Sequence, residues 1–263
     1  METIKFKTHG VSFKDEGNEK AIVLLHGFME SLHIWDDFTD VLSKSFRVVR
    51  VDLPGHGGTP VMGEVHTMAL MAEVVKTVLD ALKIDKCVMV GHSMGGYVTL
   101  EFAKQFPDLL AGFCLFHSHA SADNAEAKEN RRRTINIVKL NRAGFIQQFI
   151  PELFAKSNVE KFASEIQNLQ NQSANTSAEG IIAALQGMKE RASNLGLLIN
   201  TKLPVLFIAG KDDSRIPIQN IMAQAILPSH SELLILGGVG HIGFVEAKKE
   251  TLGMIEGFVK RVL

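Results

Sequence analysis

The chain has 263 residues, of which 46% are hydrophobic, so it is long enough to bury one large core. Its charges balance to a formal −1, which argues against a general attraction to nucleic acid or to an anionic membrane surface. The sequence starts without a signal-peptide core, and no apolar run approaches the ~18 residues that span a bilayer. These features predict a soluble cytoplasmic protein with neither nucleic acid nor membrane as partner, and they leave its oligomeric state open.

Short apolar runs at regular intervals predict the strands of one sheet. Residues 3–14 form an expected edge hairpin around His9-Gly10. The later runs are apolar at nearly every position, as is typical of strands covered on both faces. They are Ala21–Leu25, Arg47–Val51, Lys86–Val90, Leu110–Phe116, Pro204–Gly210 and Glu232–Leu236. Both cysteines, Cys87 and Cys114, fall inside these runs and are interpreted as small core residues rather than as a disulfide or metal pair.

Helical periodicity separates the predicted strands, so the chain is expected to form an α/β fold: a mostly parallel, eight-stranded sheet with helices on both faces. The pattern changes between Ser121 and Thr201, which are rich in polar residues and hold several amphipathic helical segments but no strand. We expect residues 121–201 to form a helical cap inserted into a core domain of residues 1–120 and 202–263. The mixed charges of 126–133 are interpreted as a solvated helix face.

The stretch Gly91-His92-Ser93-Met94-Gly95 lies between a predicted strand and a predicted helix. A sharp strand-to-helix turn with glycine two residues on either side of a serine is the G-x-S-x-G nucleophile elbow. The glycines let strand and helix approach closely, while the serine takes up a strained backbone conformation. An ordinary turn with a surface serine has the same short pattern, so the elbow needs support from the rest of the chain.

A serine nucleophile needs a base within hydrogen-bond reach and a group that orients this base. Ser93 follows one predicted strand, Asp212 and Asp213 follow a later one, and His241 follows the last. Ser, Asp, His is the order expected for this architecture, and the carboxyl ends of parallel strands meet at one edge of the sheet. The sequence therefore predicts one catalytic site with Ser93 as nucleophile and His241 as base.

Several segments between about residue 20 and the end resemble the α/β-hydrolase family, in the branch of small esterases, enol-lactonases, cofactor-free haloperoxidase-like enzymes and pimeloyl-ester esterases. They are His26-Gly27-Phe28, 52–57, 91–96, 210–217 and Gly240-His241. The resemblance implies that the acid is Asp213, four residues before Pro217, with Asp212 second and Asp123 a distant third. It also implies that the N–H groups of Phe28 and Met94 form the oxyanion hole.

Trp35, His117 and His119 are candidates for the wall of the substrate pocket, with a core position as an equal alternative for Trp35. The two histidines and His241 also suggest a metal site. Three histidines without a carboxylate at ligand spacing do not favour one, and His241 is already needed as the base. We therefore predict neither a metal nor a cofactor.

The predicted activity is hydrolysis of a small carboxylic ester, lactone or thioester through an acyl-enzyme intermediate. Serine at position 93 argues against the dehalogenase and epoxide-hydrolase chemistry of relatives, which needs a carboxylate nucleophile. Two alternatives stay open. The same three residues could serve C–C bond hydrolysis, lyase or perhydrolase chemistry, or the protein could be a non-catalytic ligand-binding protein on this fold.

Overall fold

An eight-stranded sheet in the order β1-β2-β4-β3-β5-β6-β7-β8 forms the centre of the molecule, in a computed structural model that describes residues 1–263. The strands are β1 (Glu2–Phe6), β2 (His9–Glu16), β3 (Ala21–Leu25), β4 (Arg47–Val51), β5 (Cys87–His92), β6 (Leu110–Phe116), β7 (Val205–Gly210) and β8 (Ser231–Leu236). The predicted hairpin forms one sheet edge. Its turn lies at Lys7-Thr8, because His9 and Gly10 already pair with Phe6 and Lys5.

The sheet is mixed rather than wholly parallel. β2 runs antiparallel to both β1 and β4, and the other five pairings are parallel. Every residue of β3, β5 and β7 is buried, which explains their uninterrupted apolar sequences. Cys87 and Cys114 are buried thiols in β5 and β6 and form no disulfide.

Ten α-helices accompany the sheet, and none has the combined length and apolarity to span a membrane. They are α1 (Asp36–Leu42), α2 (Met68–Ala81), α3 (Met94–Gln105), α4 (Ala125–Phe149), α5 (Ala163–Ser173), α6 (Ala178–Glu190), α7 (Leu195–Asn200), α8 (Ile218–Ala225), α9 (Gly243–Glu246) and α10 (Lys248–Val262). Side chains cap the starts of three of them: Thr67 before α2, Asn124 before α4 and Ser177 before α6 each accept a hydrogen bond from a first-turn N–H.

The chain between β6 and β7 is helical, as predicted, and contains α4 to α7 but no strand. α4 has non-helical backbone at Asn141, whose side chain accepts a hydrogen bond from the N–H of Gly144. α4 ends at Phe149, and Pro151 starts a separate 3-10 turn. α4 packs against α6. The role of residues 121–201 as a cap stays a prediction.

Candidate active site

Ser93 lies in the sharp turn between β5 and α3, with φ +49° and ψ −112°. Such a backbone conformation costs a non-glycine residue about 1–3 kcal/mol and persists only where the surroundings enforce it. The neighbouring glycines allow it. A Cβ on Gly91 would lie 2.2 Å from the carbonyl oxygen of Gly95, and one on Gly95 would lie 2.5 Å from that of Leu25. Strand and helix therefore approach too closely for any other residue at these two positions.

The backbone of Ser93 is held from β6 and the residues after it. The N–H of Ser93 donates to the carbonyl of Phe116 at 2.9 Å, and the hydroxyl of Ser118 donates to the carbonyl of Ser93 at 2.8 Å. Both bonds leave the Ser93 side chain free. The turn is therefore rigid, while its hydroxyl is available for other contacts.

A line of hydrogen bonds connects three of the predicted residues. The Oγ of Ser93 lies 2.9 Å from Nε2 of His241, and Nδ1 of His241 lies 2.8 Å from Oδ2 of Asp213. A carboxylate only accepts, so Nδ1 of His241 donates to it, and Nε2 is left to accept the serine proton. This is the geometry that a base-activated serine requires.

Asp213 lies next to His241, whereas the other two candidate acids, Asp212 and Asp123, do not. Asp212 is exposed, and its side chain makes no hydrogen bond. Asp123 pairs with two arginines instead. Of the three candidate acids, only Asp213 forms a hydrogen bond with His241.

Asp213 accepts four hydrogen bonds. Its Oδ2 faces Nδ1 of both His241 and His117, at 2.8 and 3.1 Å, and its Oδ1 accepts from the N–H groups of Arg215 and Ile216 at 2.8 and 2.9 Å. Burial alone would raise the pKa of this carboxyl. The charge of His241 and the hydrogen bonds from His117 and His241 outweigh burial and hold the pKa well below its usual value. Asp213 is therefore ionised throughout the neutral range.

His117 lies behind Asp213 and does not line the cavity, contrary to the prediction. Burial lowers its pKa to about 4 despite the nearby carboxylate, so the imidazole is neutral at pH 7. Donor atoms of His117, Asp213 and His241 all lie within 4.8 Å of one another, a spacing that could hold a metal ion. Both Nδ1 atoms already point at one carboxylate oxygen, so a metal would have to replace the His241–Asp213 hydrogen bond.

Trp35 and His119 also lie outside the cavity wall, and the pocket prediction for them is wrong. Trp35 is fully buried and packs edge-on against Phe38, with ring centroids 5.4 Å apart, so it belongs to the core. His119 is covered by the ring of Tyr97 and the guanidinium of Arg191. Burial and the charge of Arg191 lower the pKa of His119 to about 4.

The two residues predicted to form the oxyanion hole both have a backbone N–H group without a hydrogen-bond acceptor in the chain. Phe28 follows β3, and its N–H makes no hydrogen bond within the chain. Met94 is the first residue of α3, where an N–H has no acceptor inside the helix. The ring of Phe28 meets that of Phe149 edge-on at 5.9 Å and lines the cavity, whereas the Met94 side chain is buried in the core.

A buried ion pair, which the sequence did not predict, connects the loops of the site. Oε2 of Glu30 accepts from the N–H of Gly27 at 2.5 Å and lies 3.0 Å from Nδ1 of His92. Nε2 of His92 donates to the carbonyl of His241 at 2.9 Å. Burial would lower the pKa of His92 and raise that of Glu30. Their attraction outweighs burial, so the pKa of His92 is raised and that of Glu30 is lowered. The available signal was the position of Glu30, three residues after the glycine of the motif loop.

Ser93 and His241 line a cavity of about 310 Å³. This volume is at the small end of the range for ligand pockets, which is about 300–1,000 Å³. The wall also includes residues from the loop after β3, from α3, and from α4 and α6. The cavity can therefore enclose a small molecule with a reacting carbonyl at Ser93.

A family model for the alpha/beta hydrolase fold matches residues 20–248. The chain belongs to the α/β-hydrolase family. An esterase from Thermogutta terrifontis, solved with malate bound, is 31% identical, with a TM-score of 0.94 and coverage of 100% of this chain and 99% of that one. The pimeloyl-[acyl-carrier protein] methyl ester esterase of Aeromonas hydrophila is 28% identical over 95% of this chain and 99% of its own length.

The enol-lactonase of Burkholderia xenovorans LB400 is similar in fold alone, with 20% identity, a TM-score of 0.91, and coverage of 98% of this chain and 100% of that one. The predicted resemblance to the α/β-hydrolase family is thus confirmed, with esterases among the similar proteins. This α/β-hydrolase is an enzyme.

Proposed function

We propose that this α/β-hydrolase cleaves a small carboxylic ester, lactone or thioester with Ser93 as its nucleophile. The observation that carries the proposal is the hydrogen-bonded line Ser93–His241–Asp213, of which Ser93 and His241 line a cavity. His241 takes the proton of Ser93 as the hydroxyl attacks the carbonyl. Asp213 holds the imidazole in the required tautomer and stabilises its charged form, and its low pKa supports this role.

The developing oxyanion would be bound by the N–H groups of Phe28 and Met94. Met94 opens α3, so the positive end of the helix dipole adds to this stabilisation. Collapse of the tetrahedral intermediate breaks the bond to the leaving alcohol or thiol, which receives the proton held by His241, and leaves an acyl group on Ser93. Water activated by His241 then releases the acid.

We propose further that residues 121–201 act as a cap over the core domain of residues 1–120 and 202–263. Support comes from the cavity wall, to which α4 contributes Arg131 and Phe149 and α6 contributes Met188. These residues share the cavity with Ser93, so the helical segment would define the substrate that reaches the nucleophile.

Relatives support an ester bond as the target. The Thermogutta terrifontis protein and the Aeromonas hydrophila protein are both esterases, and the chain covers nearly their whole length. An ester substrate for this chain is an inference from that likeness and from the geometry around Ser93.

A panel of short p-nitrophenyl esters, lactones and thioesters tests the proposal, with native protein and Ser93→Ala compared side by side. We expect turnover of at least one member by the native protein, and loss of turnover in the variant. Turnover of a vinylogous diketone without turnover of any ester or thioester would instead establish C–C bond hydrolysis. Failure of the folded native protein to turn over any of these compounds would contradict the proposal.

A further inference from the structure

A buried charge cluster beside the cavity contains two cations and one anion. The carboxylate of Asp123 pairs with the guanidinium of Arg131, and its Oδ1 also accepts from Nη1 of Arg191 at 2.5 Å. The side chains of Asp123 and Arg191 are each only 5% exposed. His119 adjoins Arg191, and burial together with that charge keeps the imidazole neutral, with a pKa of about 4. The cluster therefore carries a net positive charge.

No acid on the cavity wall neutralises this charge. Glu30 is the one carboxylate that lines the cavity, and it is paired with His92. Arg215, the second arginine of the wall, already binds the carboxylate of Glu152 at 2.6 Å. The excess charge thus belongs to Arg131 and Arg191.

Arg131 presents this charge to the cavity. Its side chain is 21% exposed and lines the cavity together with Ser93. Besides Asp123, its guanidinium hydrogen-bonds only to the thioether sulfur of Met188, at 3.5 Å from Nη1. A thioether is a weak acceptor, so this end of the guanidinium has unused hydrogen-bonding capacity.

Tyr97 provides a second donor on the same wall. Its hydroxyl makes no hydrogen bond within the chain, and the guanidinium of Arg191 lies 3.9 Å from the centre of its ring. Arg191 thus connects the ring of Tyr97 with Asp123, which in turn holds Arg131. The wall is built from packed, paired side chains rather than from mobile surface arginines.

The helical register explains why only one residue of the arginine run faces inward. Ala127, Arg131 and Thr134 share one face of α4 at i, i+4 and i+7, and all three line the cavity. Arg132 and Arg133 point away, with side chains 59% and 71% exposed.

We propose that this wall, formed by Arg131 and Tyr97, binds a carboxylate of the substrate, so that the preferred substrates are esters carrying a free carboxylate. The proposal rests on the proposed function, with Ser93 attacking the ester carbonyl. A guanidinium fork matches a carboxylate in shape, and the partly buried position reduces screening by salt. The cluster has one net positive charge, which balances the single charge of a carboxylate but not the two charges of a phosphate dianion. A carboxylate is therefore the favoured ligand.

The test compares monomethyl esters of linear dicarboxylic acids, from succinate to suberate, with the dimethyl esters of the same acids. For at least one chain length we expect kcat/KM of the half-ester to exceed that of the diester by roughly 10- to 100-fold, the value of a charge-assisted hydrogen bond. Arg131→Met should abolish this ratio. Arg133→Met removes the same charge from the same helix outside the cavity, and it should leave the ratio unchanged.

A second measurement uses the native protein alone. Free glutarate or adipate should slow fluorophosphonate labelling of Ser93. The uncharged diols of the same chain length should not. Equal kcat/KM for half-esters and diesters, or a preference that survives in Arg131→Met, would overturn the carboxylate site while leaving the ester hydrolase in place. Absence of labelling and of turnover for both substrate series would instead contradict the proposed function itself.

Discussion

Replacing Asp213 with asparagine tests how the acid acts, because the two carboxylate oxygens have different hydrogen-bond partners. Oδ1 accepts from two backbone N–H groups, at 2.8 and 2.9 Å, which cannot turn away. In Asp213→Asn the amide oxygen must occupy this position, since an NH₂ group there would face two donors. The amide nitrogen then takes the place of Oδ2 and donates toward Nδ1 of His241.

This reversal has a defined cost. A donor at the position of Oδ2 forces Nδ1 of His241 to accept, so the imidazole proton moves to Nε2, which faces Ser93. In that tautomer His241 cannot take the serine proton. Aspartate-to-asparagine exchange in a serine triad lowers kcat by ~10⁴-fold. This corresponds to about 5.5 kcal/mol in the activation free energy.

Steady-state hydrolysis of the best ester from the substrate panel measures the effect, with Asp212→Asn as the matched control. Asp212 is exposed and makes no side-chain hydrogen bond, so kcat of the Asp212→Asn variant should stay within about twofold of the native value. Thermal melting of both variants checks that each is folded. A folded Asp213→Asn variant with kcat within tenfold of native, or a large loss in Asp212→Asn, would refute the assignment of the acid.

Two further predictions concern the buried groups around the site. Glu30→Gln removes the negative partner of His92. Breaking such a buried pair should lower the free energy of unfolding, measured by urea titration, by about 3 kcal/mol. A change below about 0.5 kcal/mol, the size expected for a neutral surface substitution, would contradict the ion pair. Burial and the nearby His26 lower the pKa of His56 to about 3, so the unfolded chain binds more protons than the folded one below pH ~6.5. The stability that the neutral His56 contributes is fully present above that pH. As the pH falls toward 3, this contribution to the free energy of unfolding is lost at up to about 1.4 kcal/mol per pH unit. Urea titrations at pH 7, 6 and 5 should therefore show a shallower pH dependence in His56→Asn than in the native protein.

The strand ends were predictable because the motif residues follow short, largely apolar runs in the sequence. Ser93 follows β5 directly, His241 stands in the loop after β8, and the parallel strands bring their carboxyl ends to one edge. The mixed character of the sheet follows from β2, which pairs with β4 across a separation in sequence that local patterns do not encode.

The positions of Trp35 and Arg131 depend on contacts that the local sequence does not contain. Trp35 follows a motif loop, yet its ring meets Phe116 and Phe244 from distant parts of the chain and is buried by them. Residues 131–133 are all arginines, so the local sequence does not distinguish them. Only the register of α4 against α6 decides that Arg131 faces the cavity. The pairing of Glu30 with His92 is likewise a contact across 62 positions.

Covalent labelling with a fluorophosphonate tests most directly whether Ser93 is an activated nucleophile. Intact mass and peptide mapping of the treated protein should show one added phosphonyl group on Ser93 and none in Ser93→Ala. An unlabelled but folded native protein, or a label that persists in Ser93→Ala, would contradict the hydrogen-bonded line of Ser93, His241 and Asp213 as the catalytic centre.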